Sequence, residues 1–360
     1  MIFLSRGERS AVGGVERGPV WCTVWIMRYI YFAVLLVCTG LPATAAPPTA
    51  KLISVKKIWD QAPHCAFTDL AFWKGHFICA FREGRAHVAT DGKIRILSSA
   101  DGESWSPAAL LALDGFDLRD AGLSVTPDNR LMLNGGAAPR KNDKDHAPTG
   151  TFVAFSEDGI NWTKPQIVVE PGRWLWRVNW HDGKAYGISY SSSRPASGAS
   201  YTALLVSDDG LHYRDLVPKL FDEETPTEAT VRFDDDGTMY CLQRRDGTPR
   251  WKSAMFGASR PPYTEWKWHD LGMHVGGPNF IRLPSGQWIA AGRFFHVKQA
   301  KTELASLDVE KSAIEPILSL PSGGDTSYPG LVWHDDVLWV TYYSSHEGKT
   351  NVYLAKVSIE

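Results

Sequence analysis

Polar and ionisable side chains recur at near-constant spacing where apolar runs begin. Asp69, Asp120, Arg177, Glu228, Asn279 and Tyr328 lie 51, 57, 51, 51 and 49 residues apart. A charge at the start of an apolar strand costs desolvation unless it is paired or used, so several at one repeat position mark a candidate site. A second pattern narrows the chemistry. Seven residues after a turn glycine come Arg82 (from Gly75), Arg244 (from Gly237) and Arg293 (from Gly286). Three converging guanidiniums repel each other unless an anion sits between them, and the planar donor fork of Arg suits a carboxylate or sulfate. The expected ligand is acidic, most simply a carboxylated sugar. No metal or cofactor is expected: the eleven His are dispersed without a spacing such as HExxH, and Gly135-Gly136 and Gly323-Gly324 lack the Lys and helix of a phosphate loop.

The elements that must position these groups are short strands. From residue 60 onward, apolar and polar residues alternate in brief runs bounded by Gly, Asp and Pro. Ser99–Trp105 reads S-x-D-G-x-x-W, and the pattern returns at Ser156–Trp162 and, more loosely, at Ser207–Tyr213. Asp-Gly favours a tight turn, because Gly accepts positive φ and Asp bonds nearby amides; the Trp caps it. The motif reads as a structural turn. Its period near 50 divides the chain into six segments, each a leading strand, a turn and a second strand followed by further strand-like residues. Four short strands per segment, repeated radially, predict an all-β, six-bladed β-propeller over residues 51–360, with 51–60 closing against 350–359. Polar insertions are expected at 137–148 and 191–200. Leading ends of the innermost strands converge on one face, which predicts that Asp69, Arg119, Asp120, Arg177, Glu228 and Tyr328 gather there.

Over almost all of residues 60–358 the chain resembles the sialidase (neuraminidase) superfamily, whose Asp-boxes (BNR repeats) the S-x-D-G-x-x-W turns resemble. Ala80-Phe81-Arg82-Glu83-Gly84-Arg85 is similar to that family's A-F-x-E-x-R strand, which makes Arg85 a substrate contact by resemblance. Asp91, in the next loop, holds a position like that of the acid/base Asp; Asp69, Asp120 and His87 are its substitutes. Glu228, followed by Asp236-Gly237 and Arg244, matches the spacing of the nucleophile-supporting Glu and the second triad Arg. Arg293 falls where the third is expected, and Ser327-Tyr328-Pro329-Gly330-Leu331 resembles the nucleophile segment. One departure stands out. The family's F-R-I-P stretch reads Phe67-Thr68-Asp69-Leu70 here, without Arg. Either Arg82 supplies that charge from the next strand, or the ligand's acid group is differently placed or absent.

The resemblance implies an exo-alpha-sialidase type of retaining hydrolase acting on a glycan with a terminal acidic sugar. A carboxylate nucleophile would be repelled by the sugar's own carboxylate, so a neutral Tyr328 attacks instead and Glu228 takes its proton. An Asp of raised pKa protonates the leaving oxygen. Two rivals stay open: another carbohydrate-active propeller enzyme, either a different glycosidase or a lyase, and a glycan-binding propeller without catalysis. Trp174, Trp176 and Trp180 read equally as a sugar platform or as core.

With a formal net charge of -2, the chain has no basic excess to attract nucleic acid. Residues 1–46 are set apart. Met27-Arg28, the apolar run to Cys38 and Ala43-Thr44-Ala45-Ala46 read as a secretory signal behind an upstream extension, too short to span a membrane. The protein is therefore expected in the periplasm or outside the cell, as a monomer. Acylation at Cys38 is a weaker alternative, because Val37 is bulky. Cys65, Cys79 and Cys241 are an odd set without a metal-type pair, and are expected as core fillers rather than disulfides.

Overall fold

The structure is a computed structural model and describes residues 48–140, 149–191, 200–247, 252–296 and 299–360. The predicted signal segment, Cys38 and most of the two predicted insertions lie outside these residues. Among the described residues, strands form six four-stranded antiparallel sheets, and there is no helix. The first strands of the six sheets are His64–Trp73, Phe116–Val125, Arg173–His181, Pro226–Phe233, Gly276–Arg282 and Thr326–His334. Each packs beside the next, and the sixth returns to the first. The result is a six-bladed β-propeller, here numbered blade 1 to blade 6 in that order.

Both ends of the chain close the ring. Blade 6 continues through Val337–Ser344 and Asn351–Ile359 to Ala50–Trp59, which pairs antiparallel with the last strand from Ala50↔Ile359 to Trp59↔Val352. The terminal closure expected from the sequence is thus present. It ties the first described strand to the last.

Middle strands are buried on both faces, so Gly150–Ser156 and Thr202–Ser207 read as nearly unbroken runs of small and apolar residues. The cores lie between blades. Trp73, Ile78, Leu118, Leu131 and Phe152 join blades 1 and 2. Tyr186, Leu204, Val231 and Tyr263 join blades 3 and 4, and Leu304, Leu338 and Tyr353 join blades 5 and 6. Cys65, Cys79 and Cys241 are free, buried thiols within these cores, and burial pushes all three upward in pKa.

The Asp-Gly turns join third to fourth strands. In blade 1, Asp101 Oδ1 accepts from the amides of Glu103 and Ser104 at 2.8 Å each, Ser99 Oγ accepts from Gly102 N, and Gly102 adopts a φ of 69°. The same bonds recur at Asp158 and Asp209. Two clefts, of about 410 and 840 Å3, open near the outer turns and are lined by Trp73 and Asp158 in one case and by Tyr240 and Trp266 in the other. Neither includes the residues singled out above as converging.

Candidate active site

All six first strands carry a bulge at the same level. The register shifts lie between Ala66/Asp69, Arg119/Gly122, Leu175/Val178, Pro226/Ala229, Gly276/Asn279 and Ser327/Gly330. A bulge re-aims the side chain at the extra residue. Phe67, Asp120, Gly277 and Tyr328 take φ values of 64°, 56°, 57° and 53° there. For a residue other than Gly this left-handed conformation costs about 1–3 kcal/mol and persists where the surroundings impose it. Gly277 avoids that cost and also makes room: a Cβ there would lie 2.7 Å from Ser327 Oγ and 3.0 Å from the Tyr328 ring. The bulges correct the sequence alignment. The structurally equivalent residues are Phe67, Asp120, Trp176, Thr227, Gly277 and Tyr328. Asp69 lies two positions past its bulge residue, and Arg177 and Glu228 lie one past theirs.

Tyr328 and Glu228 meet across the axis. The Tyr328 hydroxyl donates to Glu228 Oε1 at 2.5 Å, while Arg244 Nη1 and the Gly277 amide donate to Oε2 at 2.5 and 3.0 Å. Both residues are buried. Burial pushes the Glu228 carboxyl up, but the Arg244 charge and the bonds from Tyr328 and Arg244 outweigh it, with help from Arg293, and hold it below the usual range. Burial, reinforced by Glu228 and Asp120, drives Tyr328 far above an ordinary phenol. The pair is therefore a neutral phenol hydrogen-bonded to an ionised carboxylate. Arg244 is steadied on its other side by Asp246 Oδ1, 2.9 Å from Nε. Arg293 runs alongside Gly276, with Nε and Nη2 each 3.3 Å from where a Cβ would stand.

Asp120 sits on the blade 2 side of this pair. It is partly buried, and its Oδ1, itself buried, has no hydrogen-bond partner among the described residues. Burial raises its pKa to about 6; Arg119 opposes the rise and Glu228 adds to it. Arg119 lies over the Phe67 ring at 5.0 Å, donates from Nη2 to His87 O, and leaves Nε buried without a partner. Trp174 and Trp176 also bury indole N–H groups without partners, and Trp176 packs 5.3 Å from Tyr328. Unpaired buried donors and acceptors beside a phenol–carboxylate pair are what a polar ligand would satisfy.

Three groups of expected site residues are placed otherwise. Arg82 is fully buried and engaged: Nε and Nη2 donate to Asp117 Oδ1 at 3.0 and 2.9 Å, and Nη1 donates to Ala86 O. Asp117, in blade 2, supplies the counter-charge, so Arg82 does not stand in for the absent F-R-I-P arginine as a ligand donor. Asp91 is held in an exposed loop by Arg85, whose amide and Nε reach its two oxygens at 3.2 and 3.0 Å. Among the described residues, no bond joins either residue to the Tyr328 cluster. Asp69 and Arg177 form a buried ion pair at 2.5 Å. Asp69 also accepts from Leu123 N, and Arg177 donates to Thr68 O and Pro329 O, which pins blades 1, 2, 3 and 6 together beside Tyr328.

Sequence reasoning missed Tyr190, which is partly buried and close enough to Glu228, Asp120, Arg244 and Arg119 for their charges to act on it. The signal was present. The seven-residue offset that picks out the arginines leads from Gly183 to Tyr190. It also missed His64 and Asp325. His64 Nε2 and His87 Nδ1 lie 2.9 and 2.8 Å from Asp325 Oδ2, although the residues are 261 and 238 positions apart in sequence. The dispersed histidines predicted no metal centre, yet folding assembles a donor cluster from two of them.

No protein-family model matches the chain, and comparison with curated proteins returns no relative. Solved structures do match. A protein of unknown function from Dyadobacter fermentans superposes with a TM-score of 0.75 at 20% identity, over 87% of this chain and 100% of that one. An alpha-L-arabinofuranosidase from Fusarium graminearum gives 0.68 at 14% identity, over 85% and 97%. Trypanosoma rangeli sialidase in complex with sialic acid gives 0.65 at 11% identity, over 87% of this chain but 59% of the sialidase. The chain thus has a sialidase-like propeller fold, shared with more than one kind of glycosidase.

Proposed function

We propose that the protein is an exported retaining glycoside hydrolase that releases a terminal acidic sugar, with Tyr328 and Glu228 as its nucleophile unit. The observation that carries this reading is the 2.5 Å bond from a buried neutral phenol to an ionised carboxylate that Arg244 also holds. Export rests on the signal-like pattern of residues 27–46. Propeller glycosidases among the structural neighbours support the reaction class.

In the first step Tyr328 Oη bonds to the anomeric carbon and the glycosidic C–O bond breaks. Glu228 accepts the phenol proton, and Arg244 stabilises the phenolate character that develops. Asp120 gives its proton to the leaving oxygen; a pKa near 6 keeps that proton available in mildly acidic and near-neutral water. In the second step water attacks the anomeric carbon, ionised Asp120 takes the water's proton, and the C–OTyr bond breaks as Glu228 returns a proton to the phenolate. Asp120 replaces Asp91 as acid/base because Asp91 is turned to Arg85. Arg244, Arg293 and Arg119 replace the expected trio as the grip for the sugar's acid group. Assay of the purified protein on aryl glycosides of acidic and neutral sugars tests the proposal. Release confined to neutral sugars would move the reading to the arabinofuranosidase-like alternative, for which Tyr328→Phe remains the mechanistic test.

A further inference from the structure

We propose that His64, His87 and Asp325 form a divalent transition-metal site beside the Tyr328 centre, independent of the hydrolytic reading. Their donor atoms, His64 Nε2, His87 Nδ1 and a carboxylate oxygen of Asp325, all lie within 4.8 Å of one another. Two imidazoles and one carboxylate are a donor set suited to Zn2+ and related ions, with positions left open for water or a ligand. Bonds of about 2.0–2.2 Å at a tetrahedral angle place ligand atoms roughly 3.3 Å apart. Asp325 Oδ2 is 2.9 and 2.8 Å from the two nitrogens, so these two separations need only a few tenths of an ångström of outward movement.

The three residues come from different places, and each is held. His64 begins the first strand of blade 1, and its backbone bridges to Thr350. His87 lies in the loop after the second strand, where Arg119 Nη2 grips its carbonyl and its ring stands edge-on to Phe67 at 5.1 Å. Asp325 precedes the first strand of blade 6; its amide donates to Ser345 Oγ at 2.8 Å, and its carbonyl accepts from Ser345 N at 3.0 Å. Tautomer choice does not obstruct binding: His64 Nδ1 has no partner among the described residues, so its ring can carry the proton there and turn the Nε2 lone pair to a cation.

Access is graded. The His64 side chain is 9% exposed, Asp325 27% and His87 44%, so the cluster opens on the His87 side. Phe67 forms the wall shared with the Tyr328 centre, 5.0 Å from the tyrosine ring. Hydroxyl or carboxylate oxygens are the groups that a bound ion's open positions would take.

The test is metal titration of the intact protein after chelator treatment, using Co2+ for its visible d–d bands and Zn2+ in competition. The expected result is one equivalent bound per chain, displaced by Zn2+, and lost in His87→Ala and in Asp325→Asn with unchanged circular dichroism. Since Asp325→Asn could disturb the blade 6 loop, X-ray absorption of the Zn2+-loaded wild type provides a second reading, expected to show two imidazoles and oxygen. Absence of stoichiometric binding, equal binding by both variants, or a different number of imidazoles would overturn the site, whatever the glycosidase assays give.

Discussion

Replacing Asp120 by Asn separates what this carboxyl does in the reaction from what it costs the fold. Folded Asp120 keeps its proton to about pH 6, because burial disfavours the charge; its ordinary value is 3.8. Between those values the native state binds more protons than the unfolded chain, so stability falls as pH rises through that window. Each tenfold change in acidity is about 1.4 kcal/mol, and Asp120 is only partly buried, which leaves a penalty on the order of 1–3 kcal/mol above pH 6. Asn keeps the shape and removes the charge. By calorimetry, Asp120→Asn should melt about 2–8 °C above wild type at pH 7.5, with the gap closing toward pH 4. On glycosides with poor leaving groups its kcat/KM should fall on the order of 10²–10⁴-fold. A variant that melts at or below wild type at pH 7.5, or a gap that does not change with pH, would refute the reasoning.

Further outcomes follow from the same geometry. The wild-type kcat/KM should decline as pH rises through about 6, where Asp120 loses the proton it must donate, and its acid limb should lie below the usual glutamate range because Arg244 and Tyr328 hold Glu228 ionised; a pH–rate profile checks both. Arg293→Met should raise KM for acidic aryl glycosides by roughly 10-fold or more, the scale of a hydrogen bond to a charged group, with little change for neutral ones. Arg82→Met should cost about 3–5 kcal/mol in denaturant unfolding by stranding the buried Asp117 charge, and adding Asp117→Leu should recover much of it without changing KM. Gly277→Ala should lower kcat more than it raises KM, since its Cβ would push on Tyr328; steady-state kinetics with a melting curve separates that from loss of fold.

The blades were legible because they share local chemistry: an Asp-Gly turn in the first three, β-branched or aromatic runs throughout, and a small residue such as Cys79 or Cys241 at one core position. The bulges were not. An extra residue in every first strand leaves the period unchanged but decides whether the equivalent residue is Glu228 or Thr227, Asp69 or Phe67. That Tyr328, Glu228 and Arg244 meet was foreseeable from the sequence because their motif spacing survives that slip. The fate of Arg82 could not be read, since its partner Asp117 belongs to the neighbouring blade and both lie at ordinary strand positions. The place of Asp91 could not be read for a related reason: its partner, Arg85, lies in the same loop, and no motif spacing shows that the two bond each other. The His64, His87 and Asp325 cluster is invisible to any spacing rule because the closure of the ring creates it.

The most direct test of Tyr328 as nucleophile is turnover of an acidic and neutral aryl-glycoside panel by wild type and by Tyr328→Phe. The geometry predicts that wild type releases an acidic sugar and that Tyr328→Phe, folded and equally stable, loses at least roughly 10³-fold in kcat. Full activity in Tyr328→Phe, or no release by wild type from any member of the panel, would contradict it.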